Sequence, residues 1–325
     1  MKLTSVGTLM VAVLMLQQSA LGQFLMIPDS SADSIGLYSP VDGSLIDANF
    51  IVDANNDETY NFSTPKEAIQ VGNEIWVSDQ IEDAVFIFDL AGNYLTKIGQ
   101  DTMGNATGVF DNNRGLAFAN GTVYVSNSGS SNGAPGDAIV TVDPATKMAT
   151  GNFVVTDPTT GDVTDPFDVA LYEGDLLITD INAGTNGDGI DLVALDGSYI
   201  SRLVSSDGVD GIDFPQQASA KQSDSNFVVA GFSPPDGLYE YDSMGTELAY
   251  FPGTAQRGVF ELQNGNYLYT GGAGTFVLDP ATGGTMMVGA GSQYISPLTI
   301  PEPRGAWLAL GMSAVLLTRR RFTRS

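Results

Sequence analysis

From Pro65 to Gly99 apolar and polar positions alternate in four short runs, each bounded by Gly, Asn or Asp. Ile69–Val71 leads into a Gly72-Asn73 turn; Ile75–Ser78 and Val85–Asp89 follow; an Ala91-Gly92-Asn93 turn then precedes Tyr94–Ile98. β-Branched and aromatic residues fill these runs, and a period of two closed off by turn residues is the pattern of half-buried antiparallel strands. Related text returns as RGLAFANGTVYVSN with AIVTVDPATKMATGNFV, as FDVALYEGDLLITD with IDLVALDGSYISRLV, as QASAKQSDSNFVVAG with GLYEYDSMGTELAYF, and as GVFELQNGNYLYTG with TFVLDPATGGTMMV. Ser78 thereby aligns with Ser126, Thr179, Ala230 and Thr270, at spacings of 48, 53, 51 and 40 residues. Four strands per unit at that period predict the blades of a β-propeller.

The N-terminal copy, Phe24 to Ile51, supplies a second, third and fourth strand but no first, and after the last copy one strand is left over, Ser292 to Ile300. Pairing the spare strand into the N-terminal blade closes a ring and removes the open edges of an unclosed sheet array. The expectation is an all-β, six-bladed propeller over residues 23–300. A parallel β-solenoid or a β-sandwich competes less well: these repeats are longer than a solenoid coil, and a sandwich does not repeat. Outside the two chain ends no stretch sustains apolar residues at helical spacing. The pattern P-x-x-I-x-V-x-x-x-I-x-V-x-D, at Pro65 to Asp79, resembles NHL-type and related six-bladed propellers.

Both ends read as addresses. Lys2, the apolar run Val6 to Leu16 and the small residues Ala20 and Gly22 before Gln23 have the tripartite layout of a secretory signal peptide over residues 1–22. Residues 301–325 join Pro301-Glu302-Pro303, an apolar segment from Gly305 to Thr318 and the cluster Arg319, Arg320, Arg321. This order resembles the PEP-CTERM sorting signal of Gram-negative bacteria. The resemblance implies processing by an exosortase, transient membrane association through the apolar segment, and a destination at the cell surface or in the extracellular matrix. Fourteen helical residues reach only about 21 Å, less than a hydrocarbon core of ~30 Å, which suits a transient anchor.

Composition narrows the chemistry. With 43% apolar and 16% charged residues the chain has the makeup of a folded protein. It has neither cysteine nor histidine, so disulfides, thiolate or imidazole metal sites, and Ser-His-Asp or Cys-His catalysis are excluded. The net charge is −25, and residues 23–300 carry seven basic against 37 acidic side chains, or −30. Such a surface repels nucleic acid and anionic lipid and attracts cations.

In a propeller the residues just before each first strand rim the central channel. Alignment of the blades puts Lys66, Arg114, Phe167, Gln216 or Gln217, and Arg257 there. Three of the body's seven bases on one repeat position predict a site for a carboxylate, sulfate or uronate; the competing reading is that each cation pairs with an acid of a neighbouring blade. The acidic loops on the same face offer hard oxygen donors for Ca²⁺ at Asp157, Asp162 and Asp165, at Asp207, Asp210 and Asp213, and at Asp180 with Asp188. Against this stands ordinary turn chemistry, in which Asp caps nearby backbone. DANNDE begins like an EF-hand loop, but Glu58 and Thr64 occupy the positions of its glycine and bidentate glutamate. Asp79, Asn127 and Asp180, ending successive second strands, are expected to make turn bonds, and Trp76, Phe86, Phe88, Phe118 and Tyr124 to form the core between blades.

These features predict an exported, non-catalytic propeller that binds a glycan, exopolysaccharide or surface protein through its loop face. Two alternatives remain open. Six-bladed relatives include Ca²⁺-dependent lactonases and phosphotriesterases, and that resemblance implies oxygen ligands at Glu67, Asn113, Asp168 and Gln216, without the histidine base some relatives use. The other is a purely structural matrix protein.

Overall fold

Each repeat is one four-stranded antiparallel sheet, and six such blades form a β-propeller in the computed structural model, which describes residues 21–53, 60–99, 108–157, 161–181, 187–206 and 211–301. From the innermost strand outward, blade 1 is Ser296–Pro301, Leu21–Asp29, Ser34–Tyr38 and Leu45–Val52; blade 2 is Pro65–Val71, Glu74–Asp79, Ala84–Asp89 and Tyr94–Gly99. Blade 3 is Asn113–Ala119, Thr122–Asn127, Ala138–Asp143 and Met148–Phe153; blade 4 is Pro166–Tyr172, Asp175–Asp180, Asp188–Val193 and Tyr199–Ser206. Blade 5 is Asp213–Ala220, Phe227–Ser233, Gly237–Tyr241 and Glu247–Pro252; blade 6 is Gln256–Glu261, Tyr267–Gly271, Gly274–Asp279 and Gly284–Gly289. A short hairpin, Thr156–Asp157 with Gly161–Asp162, lies in what reads in the sequence as a plain loop.

Residues Phe24–Leu298 form one compact unit. The chain ends, Met1–Gln23 with Thr299–Ser325, group separately; of them only residues 21–23 and 299–301 are described, as parts of strands. The expected leader up to residue 20 and the Glu302, Pro303, Arg319, Arg320 and Arg321 of the sorting motif lie outside the described residues, and Pro301 ends the last strand.

The ring closes as the strand count requires: Ser296–Pro301 is the innermost strand of blade 1 and pairs beside Leu21–Asp29. It begins four residues later than its apolar text, because Ser292 and Gln293 both donate their N–H to the Pro28 carbonyl (3.1 and 3.2 Å) and Tyr294 donates its N–H to the Lys66 carbonyl (3.1 Å). Burial falls from the axis outward. Ala84–Asp89 is buried along most of its length, whereas Met148–Phe153 is exposed along most of its own. The apolar core lies between neighbouring blades: Trp76 and Ile87 of blade 2 pack with Val125 and Val140 of blade 3, and Tyr124 and Ile139 of blade 3 pack with Val169 and Ile178 of blade 4. Phe86 and Phe88 are buried as expected, while Phe118 is only partly so.

Two repeating polar devices join the blades. Ser126 Oγ accepts the N–H of Gly115 (2.8 Å) and donates to the Phe167 carbonyl of blade 4 (3.0 Å). Ser78 and Thr270 do the same at their own seams, Ser78 reaching the Arg114 carbonyl and Thr270 the Gln293 carbonyl. The second device is an aspartate beside the third strand that accepts an N–H at the start of the next blade's inner strand, from the residue just before it in three blades and from its second residue in blade 5: Asp83 from Asn112 (2.8 Å), Asp137 from Asp165 (3.1 Å), Asp236 from Ala255 (2.7 Å) and Asp188 from Phe214 (2.6 Å). Each of those four donors has positive φ, between 48° and 68°, a region non-glycine residues enter only when the surroundings hold them there.

Candidate functional site

The inner strands begin with a register shift in blades 2 to 6, at Pro65/Glu67, Asn113/Leu116, Pro166/Asp168, Pro215/Ala218 and Gln256/Val259. A β-bulge breaks the strict in-out alternation and re-aims side chains. Lys66, Arg114, Phe167, Gln216 and Arg257 all lie within these bulges. Blade 2's inner strand accordingly starts at Pro65, ahead of the alternating run at Ile69.

The structure brings the three cations together. Lys66 is 9% exposed, and its ammonium donates to Gln293 Oε1 (3.3 Å), whose amide nitrogen donates to Ser30 Oγ (2.8 Å). Burial, then Arg257, then Arg114, push the Lys66 pKa down to about 7. Arg114 lies with its guanidinium carbon 3.7 Å from the Phe167 ring centre; Nη1 donates to Ser128 Oγ (2.8 Å) and to Asp165 Oδ1 (3.2 Å). Arg257 lies 5.4 Å from the Phe232 ring centre, and burial lowers its pKa. Among the described residues neither Lys66 nor Arg257 makes an ion pair. Arg114 does, so the neutralisation by a neighbouring blade holds for one of the three. Other bases are committed elsewhere: Lys147 to Glu74, Arg202 to Asp180 and Asp191, Lys221 to Asp224, Glu240 and Glu261.

Aromatic rings floor the mouth. Phe167 meets Phe214 edge-on at 5.0 Å, and Phe214 meets Phe232 at 5.4 Å. Phe214 is held at a φ of 53° by the hydrogen bond from its N–H to Asp188. Tyr294, packed with Phe167, is fully buried, its hydroxyl without a hydrogen-bond partner among the described residues and its pKa raised by burial and then by Asp168. A cluster of cations beside aromatic rings can hold a planar anion and stack the body that carries it.

The residues expected to hold Ca²⁺ are placed differently from one another. Asp165 is the partner of Arg114. Asp188 clasps Phe214; burial and then a side-chain hydrogen bond with Asp213 push its pKa up to about 6. Asp180 faces Arg202 at 3.5 Å, and burial outweighs that cation, pushing its pKa up to about 8. Asp157 and Asp162 lie in the two-stranded hairpin, and Asp207 and Asp210 lie outside the described residues. Among the described residues no group of three or more acidic side chains converges so as to hold a metal. The turn reading accounts for Asp79, which accepts from the N–H groups of Ser63, Thr64, Ile81 and Glu82, and for Asn127, which accepts from Asp111 N–H and donates to Gly129 and Pro135.

The positions implied by the lactonase resemblance are engaged with backbone. Glu67 accepts the N–H of Leu116 (2.5 Å) and the hydroxyl of Ser296 (2.7 Å); Asp168 accepts the N–H of Ala218 (3.0 Å); Asn113 donates to the Ala84 carbonyl (3.0 Å). The amide that bonds in the channel is Gln217, which accepts from Val259 and Ile295 N–H and donates to the Ile295 carbonyl.

Sequence reasoning passed over two features. The clasp aspartates each precede a small residue at the start of a third strand, in Asp83-Ala84, Asp137-Ala138, Asp188-Gly189 and Asp236-Gly237, a repeat signal that was legible. Phe214 and Phe232 stand at no repeated aromatic position, and only the tertiary fold places them beside Phe167.

No family model and no curated protein matches the sequence. Solved structures share the fold. A chain of a nidogen/laminin complex is 14% identical, with a TM-score of 0.62, covering 85% of this chain and 98% of that one. A gluconolactonase from Xanthomonas campestris is 13% identical, with a TM-score of 0.54, covering 85% and 88%. A putative gluconolactonase is 14% identical, with a TM-score of 0.51, covering 75% and 79%.

Proposed function

We propose that this chain is an exported, non-catalytic propeller of a bacterial cell surface or matrix that holds an acidic group of a glycan or exopolysaccharide at its channel mouth. The observation that carries the reading is the convergence of Lys66, Arg114 and Arg257 in a body of charge −30, two of them without an ion pair among the described residues. Burying an uncompensated ammonium is costly, and a bound carboxylate offsets that cost. The rings of Phe167, Phe214 and Phe232 suit the apolar face of a sugar. The leader-like N-terminus and the Pro301-Glu302-Pro303 motif with Arg319–Arg321 support export and exosortase processing. The fold alone does not select a function, since propellers host many.

The test is binding of polygalacturonate, with dextran as the neutral control, to the wild-type chain and to an Arg114→Ala, Arg257→Ala double variant. Salt-sensitive binding of the polyuronate only, weakened at least about ten-fold by the double variant, is expected; binding that the variant leaves unchanged refutes the reading. A lactone and phosphoester hydrolysis screen with added Ca²⁺ separates the hydrolase alternative, and silence in both assays favours a structural matrix protein.

A further inference from the structure

The far end of the channel presents different chemistry from the mouth. Downstream along the inner strands, a cavity of about 270 Å³ opens between blades 1 to 6, walled by apolar side chains that include Leu116, Phe118, Leu171, Phe260 and Pro297. Leu171 is 45% exposed at its edge. Glu67, Gln70, Gln217, Ser219, Gln222 and Ser296 supply the polar lining.

Glu67, Asp168 and Gln217 occupy the same repeat position in blades 2, 4 and 5, and each accepts the N–H of the residue one place further along the next blade's inner strand: Leu116, Ala218 and Val259. That seam needs one acceptor oxygen, and in blade 5 a neutral amide supplies it. The seam therefore accounts for an oxygen at Glu67 and Asp168 but not for a charge. Both carboxyls are at least 96% buried, and among the described residues neither has a basic partner. Asp168 Oδ1 has no hydrogen-bond partner at all. Burial and then repulsion from Asp168 push Glu67 well above the usual carboxylate range, and burial raises Asp168 to about 7. The pair lacks a counter-charge among the described residues, and of the two, Glu67 lines the cavity, whose walls are mostly apolar.

We propose that this funnel is a second binding site, separate from the mouth, for a primary organic ammonium with an apolar body. The ammonium donates to the Glu67 carboxylate and to Ser296 Oγ, which keeps lone pairs free while donating to Glu67; the body lies against the apolar wall. Gln217 contributes shape rather than bonds, since its oxygen and nitrogen are both engaged. The strongly negative body concentrates cations at the entrance. An anion is repelled by the same field, and a neutral alcohol of the same shape forgoes the charge-assisted bond.

The experiment titrates the full chain with hexylamine, 1-hexanol and hexanoate near pH 8, where the amine is protonated, and reads heat by calorimetry. Saturable binding of hexylamine, at least about ten-fold tighter than hexanol, with no binding of hexanoate, is expected. Glu67→Gln places in blade 2 the side chain that blade 5 already uses at the seam, so the fold is kept, as a thermal melt verifies, while the preference for amine over alcohol disappears. Ala170→Phe, at a half-buried wall position, narrows the funnel without touching a carboxyl and weakens the amine and the alcohol together. The proposal is overturned if hexylamine gives no saturable heat, if hexanol binds as tightly, or if folded Glu67→Gln retains the preference. None of these outcomes bears on polyuronate binding at the mouth.

Discussion

Replacing Lys66 by Met keeps the apolar stem and removes the charge, and the consequence is calculable because the group is almost fully buried. Burial with Arg257 and Arg114 takes its pKa from 10.5 to about 7, a displacement equivalent to about 5 kcal/mol against the charged form. The sign follows from proton counts. Below about pH 7 the lysine is charged in both folded and unfolded chains and contributes no slope. Between about pH 7 and 10.5 the unfolded chain binds a proton that the folded chain does not, so stability rises with pH by about 1.4 kcal/mol per unit. Carboxyls with raised pKa values, Asp188 and Asp180 among them, impose the opposite slope, so neither protein's own curve is informative. They are common to both proteins, and the difference between wild type and Lys66→Met isolates the lysine. Urea unfolding from about pH 6 to pH 9 should show that difference constant up to pH 7 and then shifting by about 2 kcal/mol in favour of wild type by pH 9. A difference curve flat to within about 0.5 kcal/mol would mean that the Lys66 ammonium remains solvated. The electrostatic account of the mouth would then be wrong, and with it the reason given for anion binding.

Ser126→Ala removes the hydroxyl that joins Gly115 N–H to the Phe167 carbonyl in a fully buried seam. Two stranded polar groups should lower stability by about 2–4 kcal/mol in denaturant melts, and a loss below about 0.5 kcal/mol would show that the seam is held by packing alone. Gly115→Ala would place a Cβ 2.3 Å from Asp168 Oδ1 and 2.6 Å from the Val169 nitrogen. The clash is with backbone as well as side chain, so a Tm decrease corresponding to about 3 kcal/mol or more is expected, and a near-wild-type melt would contradict the close approach of blades 3 and 4.

Much of the ring was readable because a blade is a local object. Turns at Gly72-Asn73 and Ala91-Gly92-Asn93, alternation in Val85–Asp89 and the recurrence of Ser78 as Ser126, Thr179 and Thr270 all follow from a period-two backbone with one buried face. The closing strand was readable for a similar reason: a repeat lacking its first strand and a tail with one to spare allow a single pairing that hides both edges. The sequence pattern places the inner strand of blade 2 at Ile69–Val71, shorter than the Pro65–Val71 of the structure, since the bulge puts Lys66 where alternation fails and where a strand leaves no apolar signature.

The acidic loops show the opposite limit. Asp165 and Asp188 come from two acid-rich loops that read alike, yet one neutralises Arg114 and the other holds the backbone of Phe214. Spacing could not separate a metal donor from a clasp, because the partner comes from a neighbouring blade some tens of residues away. Local periodicity, determined by the chain itself, specified six sheets, their strand order and the closure between beginning and end. The repeat also put three cations at one mouth; the tertiary structure alone decided that Arg114 pairs with Asp165 while Lys66 and Arg257 make no ion pair among the described residues, that Glu67 and Asp168 lie buried without a counter-charge there, and that Phe232 stands under Arg257. Charge and ring contacts of that kind depend on distances between blades, which no single repeat encodes.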